Sequence, residues 1–446
     1  MVIKNMLKGS FACISALTLT LPMTAFSNIE NDPNNSNTKK IPLEDVQRFS
    51  NAIGEIKKYY VKQVADKVLF DNAIRGMVQG LDPHSSYLNE EEYTDLKAST
   101  SGEFGGLGIE VTMEDGVVKV ITPLDDTPAS KVGIKTGDYI IKLGQTSVQG
   151  ISLKEAVNLM RGKPGSTIEL TVLRKFAEKP LVFNLIREQI LVKSVKSKLL
   201  RDGYGYIRLT QFQSLTDRDM LQAIEQLKMQ SSTGKLKGLI LDLRNNPGGL
   251  LDSAIQVSDA FLNTKATGKP DMIVYTEGRL PGTKFVAYAH ANDVLNNAPM
   301  VVLINNGSAS ASEIVAGALK DNHRALILGT KSFGKGSVQT VLPLDNKTGI
   351  KLTTALYYTP SGTSIQAKGI SPDIVIEEMA VPKETAKKSH FSGYTEADLS
   401  GHILNKNKPE NIGVLKQTKE EDLLHEDYQL YTALTVLEGM SLATNR

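Results

Sequence analysis

Residues 300–320 read MVVLINNGSASASEIVAGALK, and the fold turns on this stretch. Met300-Val-Val-Leu-Ile304 is an apolar run too short for a helix and without polar alternation, the mark of a strand buried on both faces of a parallel sheet. Small and polar residues follow, from Asn305 to Glu313, and helical periodicity resumes over Ser312–Lys320. The same grammar repeats outward. Lys237–Leu243 is a second buried strand, and Ala325–Leu328 a third. Gly205–Leu209 reads as a strand, and Asp217–Met229 and Leu251–Leu262 read as helices. Alternating strands and helices predict an α/β core over 191–380 with right-handed crossovers.

Before this core the character differs. Residues 100–190 carry short β-runs at Gly108–Val111, Val117–Ile121, Tyr139–Leu143 and Ile168–Leu173, with a turn at Asp115-Gly116 and a short helix over Leu153–Met160. They predict a compact β-rich unit. Leu43, Val46, Phe49, Ile53, Ile56 and Tyr60 follow helical spacing, as do Leu69, Ala73, Met77 and Leu81, so 43–99 is expected to be helical. Residues 381–446 are expected to be a polar linker followed by helical periodicity over Asp422–Met440.

The first 27 residues stand apart. Lys4 and Lys8 precede an uncharged apolar run from Phe11 to Leu21, Pro22 ends it, and Ala25-Phe-Ser27 offers a small-residue cleavage site. This is the pattern of a secretory signal peptide, followed by a flexible Asn- and Pro-rich leader over 28–42. The 446-residue chain has 51 basic and 49 acidic residues, a net charge of +2. Losing Lys4 and Lys8 with the signal would leave a neutral protein, with no field to attract nucleic acid. Cys13, the one cysteine, would leave too. A single thiol excludes an internal disulfide and a thiolate zinc cluster; separately, no metal and no cofactor is expected. The expected location is the periplasm.

Three loops could carry chemistry. The turn after strand 300–304 exposes small side chains and aims backbone N–H groups at one point, making Ser308, Ser310 and Ser312 nucleophile candidates, unless the turn is merely a helix start capped by Ser312. Lys335, between Gly334 and Gly336, could serve as a general base if desolvated, or be a solvated turn lysine. No histidine has an obvious partner, the closest to these loops being His323. Gly329–Gly336 begins like a phosphate-binding loop, but Gly336 stands where the metal-binding hydroxyl is required. Asp242-Leu-Arg-Asn-Asn-Pro-Gly-Gly249 ends a buried strand with glycines that could turn N–H donors toward an oxyanion, or form an ordinary turn.

In order, these strings resemble the carboxyl-terminal processing proteases, the S41 serine peptidases with an embedded PDZ domain. The likeness runs from Leu81-Asp-Pro-His-Ser-Ser86 through Phe104–Ile109, Leu159–Gly165, Asp242–Gly249, Gly307–Glu313, Phe333–Gln339 and Tyr358–Gly362 to Ser371–Ile374. It implies an α/β multidomain protein: a crotonase/ClpP-like protease core, an inserted β-rich PDZ domain and helical N- and C-terminal segments. It implies Ser310 as nucleophile, Lys335 as its base, Gln339 as support for the lysine, and Asp321 as an acidic position associated with activity. It implies oxyanion donors from Ala311 and from Gly248 or Gly249, and carboxylate capture by Leu107, Gly108 and Ile109. Arg161 would couple the PDZ domain to the active site. The implied partners are proteins with apolar C-termini, an activating adaptor, and a second copy through the terminal helices. The implied activity is a Ser-Lys endopeptidase, and the rival reading is a non-catalytic periplasmic PDZ adaptor.

Overall fold

The computed structural model describes residues 41–124, 126–263, 270–290, 293–381 and 419–444. The signal, Cys13, most of the leader and the 382–418 linker lie outside these residues. The chain divides into two compact units, one ending at Phe70 and one beginning at Asp71.

In the first unit, helix Leu43–Tyr59 has Glu44 and Asp45 in its first turn and Lys57 and Lys58 in its last, complementing the helix dipole. None of its residues is buried. Phe49 meets Phe70 with ring centroids 6.4 Å apart, and Lys57 pairs with Asp66 at 2.7 Å.

The second unit is built on a six-stranded sheet with spatial order 195–201, 204–209, 238–242, 300–304, 326–329 and 374–375. Its first pair is antiparallel and the remaining pairs are parallel. Every residue of strands Gly238–Asp242 and Met300–Ile304 is buried, and the period-two alternation explains why. Leu239, Leu241, Met300, Val302 and Ile304 share one core with helices Thr216–Gln230, Leu251–Asp259 and Ala311–Asp321. Ile240, Val301 and Leu303 face the other way, against Leu430, Ala433, Leu434 and Leu437 of the C-terminal helix Tyr428–Thr444. Both faces are covered, so no polar alternation was available to the sequence. The expected 422–440 helix is in fact two, Lys419–Glu426 and Tyr428–Thr444, interrupted at Asp427.

A second sheet runs 86–88, 349–358, 272–278 and 285–288, with Ser337–Pro343 also pairing to the long strand Gly349–Tyr358. Lys335 lies just ahead of that hairpin. The β-rich unit forms an antiparallel sheet in the order 109–114, 117–123, 139–143, 167–173 and 181–186. Its first hairpin turns at Asp115 and Gly116, with φ of 51° and 75°, the left-handed pair that a two-residue hairpin requires. Val118, Val120, Ile140, Leu170 and Val172 pack with Ala156 and Met160 of helix Leu153–Met160. Strands Glu103–Gly106 and Glu188–Leu191 pair with each other where the chain enters and leaves this unit.

Candidate active site

The loop after strand 300–304 sorts its three serines by what their hydroxyls do. Ser308 is fully buried and donates to Leu243 O at 2.7 Å. Ser312 is fully buried and donates to Asn246 O at 2.9 Å. Ser310 sits at φ 55° and forms the N-cap of helix Ala311–Asp321. A left-handed serine is strained, and such strain is kept where a side chain must be presented. Its side chain opens on a cleft of about 330 Å³ that is also lined by Gly249, Leu251, Ala311, Lys335, Gln339, Lys351 and Tyr357.

The expectation that Ser312 might cap this helix fails by two residues. Ser310 and Glu313 have the S-x-x-E spacing of a capping box, a signal that the sequence itself carries. The Glu313 carboxylate is fully buried and accepts four hydrogen bonds. One oxygen takes Ser332 Oγ at 2.6 Å and Gly334 N at 2.7 Å. The other takes Ser310 N at 2.9 Å and Lys335 N at 2.8 Å. One side chain thereby ties the backbone of the serine to the backbone of the lysine, two segments that meet only in the folded chain.

Lys335 is half-buried. Burial and then the positive charge of Lys351 push its ammonium below the usual lysine range, while Asp82 and Glu313 oppose the shift. Asp82 belongs to the turn before the first short strand, where its carboxylate accepts from His84 N, Ser85 N and Ser85 Oγ. It also accepts from Thr353 Oγ1 at 3.1 Å. His84, not His323, is the histidine near the lysine: burial and the charge of Lys335 hold its imidazole below the usual range. Tyr357 is almost wholly buried; its hydroxyl donates to Lys335 O and lies within hydrogen-bonding reach of the Ser310 hydroxyl.

Gln339 lines the cleft, but its amide donates to Ser337 Oγ at 2.8 Å and reaches Thr353 rather than Lys335. The two glycines differ. Gly248 N donates to Asn246 Oδ1 at 2.9 Å, whereas Gly249 N has no partner among the described residues and Gly249 borders the cleft. Gly248, at φ 99°, backs the site so closely that a Cβ there would fall 2.8 Å from Ser310 Cβ and 2.7 Å from Ala309 O. Ala311 N is the first N–H of the helix, beside Gly248.

Two expected residues lie apart. Asp321 ends the helix that Ser310 begins, about 16 Å along its axis at about 1.5 Å per residue. Its carboxylate accepts from Ser361 N at 2.9 Å. Arg161 pairs with Asp95 at 2.5 Å and lies over the Phe104 ring. It lines a larger cleft of about 1310 Å³ beside helix Glu90–Ser101, which contains neither Ser310 nor Lys335. The two clefts share Leu96, Thr100 and Val341. In the β-rich unit, Leu107 is buried and Gly108 sits at φ 73°, where a Cβ would meet Thr127 at 2.3 Å. Ile109 begins the first strand of the sheet. No group of acidic, histidine or cysteine side chains suited to hold a metal occurs among the described residues.

Three family models match the chain: peptidase family S41 over 203–376, PDZ domain over 105–185, and the activating protease CtpB N-terminal domain over 8–92. A carboxy-terminal-processing protease of Bartonella bacilliformis is 46% identical over 400 residues, 89% of this chain and 90% of that one. The carboxy-terminal processing protease CtpA of Bacillus subtilis is 36% identical over 356 residues, covering 79% and 74%. A solved photosystem II D1 C-terminal processing protease is 31% identical, covering 75% of this chain and 91% of its own, with a TM-score of 0.43. The chain belongs to the carboxy-terminal processing proteases of peptidase family S41 and carries their PDZ domain.

Proposed function

We propose that this chain is an exported serine endopeptidase that reads protein C-termini through its PDZ domain and cleaves by a Ser310–Lys335 acyl-enzyme mechanism. The observation that carries the reading is the sorting of the serines: Ser310 alone of the three keeps its hydroxyl on the cleft that Lys335 shares. Lys335, neutral in the working state, takes the Ser310 proton as Oγ attacks the scissile carbonyl. The N–H groups of Gly249 and Ala311 receive the oxyanion, and Gly248 contributes shape rather than a donor, because its N–H is already spent. The protonated lysine then hands its proton to the leaving amine, and water releases the acyl group. Gln339 and Asp321 act at a distance in this scheme, Gln339 through Ser337 and Thr353 and Asp321 through the Ser361 turn. Leu107, Gly108 and Ile109 capture the substrate's terminal carboxylate, and the peptide adds as a strand.

Export follows from the Lys4–Ser27 pattern. Among the described residues no helix is long and apolar enough to cross a membrane. The test is digestion of a protein with an apolar tail. Ser310→Ala should abolish cleavage while the protein stays folded. Ser308→Ala and Ser312→Ala should keep cleavage and lose about 0.5–3 kcal/mol of stability, because each removes a buried hydrogen bond and Ser308→Ala also leaves Asn305 N without its acceptor. Loss of cleavage in a folded Ser308→Ala, with Ser310→Ala active, would sink the assignment.

A further inference from the structure

The C-terminal helix covers the back of the central sheet, yet its first residues also reach the loop that carries Gly248 and Gly249. Arg244 in that loop is 8% exposed. Its guanidinium donates to Asp427 through both terminal nitrogens, at 2.9 and 2.7 Å. It also donates to Gln429 Oε1 at 3.0 Å and to Asp242 at 2.7 and 3.0 Å. Gln429 is anchored in turn by donating to Ile376 O at 2.7 Å. Next to Arg244, Asn245 is held at φ 55° by a reciprocal pair with Asn305: Asn245 N to Asn305 Oδ1 at 2.8 Å, and Asn305 Nδ2 to Asn245 Oδ1 at 2.9 Å. Asn305 opens the loop that presents Ser310. The chain of contacts therefore runs from Asp427, through Arg244 and Asn245, to both halves of the site.

We infer that Asp427 is a positioning residue for the reaction: clamped on Arg244, it sets the conformation of loop 243–249, and with it the Gly249 donor and the backing of Ser310. The inference rests on the acyl-transfer reading above. Three features support it. Asp427 stands between the two terminal helices, where its Oδ1 caps the second by accepting from Leu430 N at 2.9 Å while the same carboxylate reaches the loop, and asparagine would keep that cap. Burial pushes that carboxyl up, but the hydrogen bonds from Arg244 outweigh it and hold the group below the usual range, so it stays an anion opposite the guanidinium. The clamp is bidentate, a geometry that fixes orientation as well as distance. A buried guanidinium that loses one of two carboxylates will seek another partner, and the backbone of its own loop must move with it.

The test uses the full chain, a peptide substrate with an apolar C-terminus, and hydrogen exchange followed by mass spectrometry. Asp427→Asn should lower kcat by about tenfold or more, the scale of a sub-ångström to 1 Å misplacement, with KM within about twofold of wild type. Exchange should quicken over 243–249 and 305–311 while the buried strand 238–242 keeps its protection. Asp427→Glu should restore part of kcat. The inference is overturned if Asp427→Asn leaves kcat and loop exchange at wild-type values. It is equally overturned if exchange rises uniformly across strands and loops, which is plain destabilisation. Ser310→Ala separates the two claims: if that variant still cleaves, the acyl-transfer reading falls, and the exchange pattern alone decides the role of Asp427.

Discussion

Lys335 can act as a base only when it is unprotonated, and its surroundings decide at what pH that occurs. Burial and Lys351 depress its pKa while Asp82 and Glu313 raise it. Activity should therefore climb along an acid limb placed below the ordinary lysine range, and kcat/KM measured against pH checks this. Removing the neighbouring cation in Lys351→Gln should move the limb toward higher pH. Removing the neighbouring anion in Asp82→Asn should move it lower, and His84 should follow the charge on Lys335. Equal, unshifted limbs in both variants would mean that the lysine does not set the profile. Gly248 is the other residue whose role is geometric. Alanine there meets both the positive φ and the Ser310 Cβ, so Gly248→Ala should lose about 1–3 kcal/mol of stability and most activity, read by thermal unfolding alongside peptide cleavage.

At the scale of elements, the site is a junction between a helix N-terminus and a loop from another sheet, and Glu313 is its fastener. Glutamine in its place keeps one acceptor oxygen for four donors. Glu313→Gln should separate Ser310 from Lys335 and lower kcat more than it raises KM, as initial-rate kinetics would show. An unchanged kcat would mean that the segments are held by their own packing. The sequence made the elements legible and the junction only partly so. Strands 238–242 and 300–304 were readable because burial on both faces leaves an unbroken apolar run, and the Asp115-Gly116 turn because only a few residue types accept left-handed backbone. The choice among Ser308, Ser310 and Ser312 was not readable from spacing, since it depends on which carbonyls, Leu243 O and Asn246 O, come within reach after folding. The S-x-x-E spacing was visible and pointed to Glu313. The meeting of Asp82 with Thr353, which brings Asp82 toward the lysine, was not, because 271 positions separate the two.

At the scale of the molecule, the C-terminal helix is part of the core although a long polar stretch precedes it. Leu430, Leu434 and Leu437 are nearly inaccessible, and each such side chain contributes about 1.5–3 kcal/mol. Against a total stability of about 5–15 kcal/mol, a chain ending at residue 418 should fail to fold cooperatively, which circular dichroism would show. A truncated chain with a wild-type melting transition would refute this. At the other end, amidating a substrate's C-terminus should raise KM with little change in kcat if the PDZ domain serves capture alone. The paired strands 103–106 and 188–191 have a consequence for how such a protein can change. Adjacent paired strands lie about 4.8 Å apart, so the two ends of the PDZ domain are nearly coincident and the protease core sees it as a single attachment point. A different recognition module with equally close termini could be grafted at that point without rerouting the chain, which makes substrate choice a part that evolution or an engineer can exchange while the cutting machinery stays as it is.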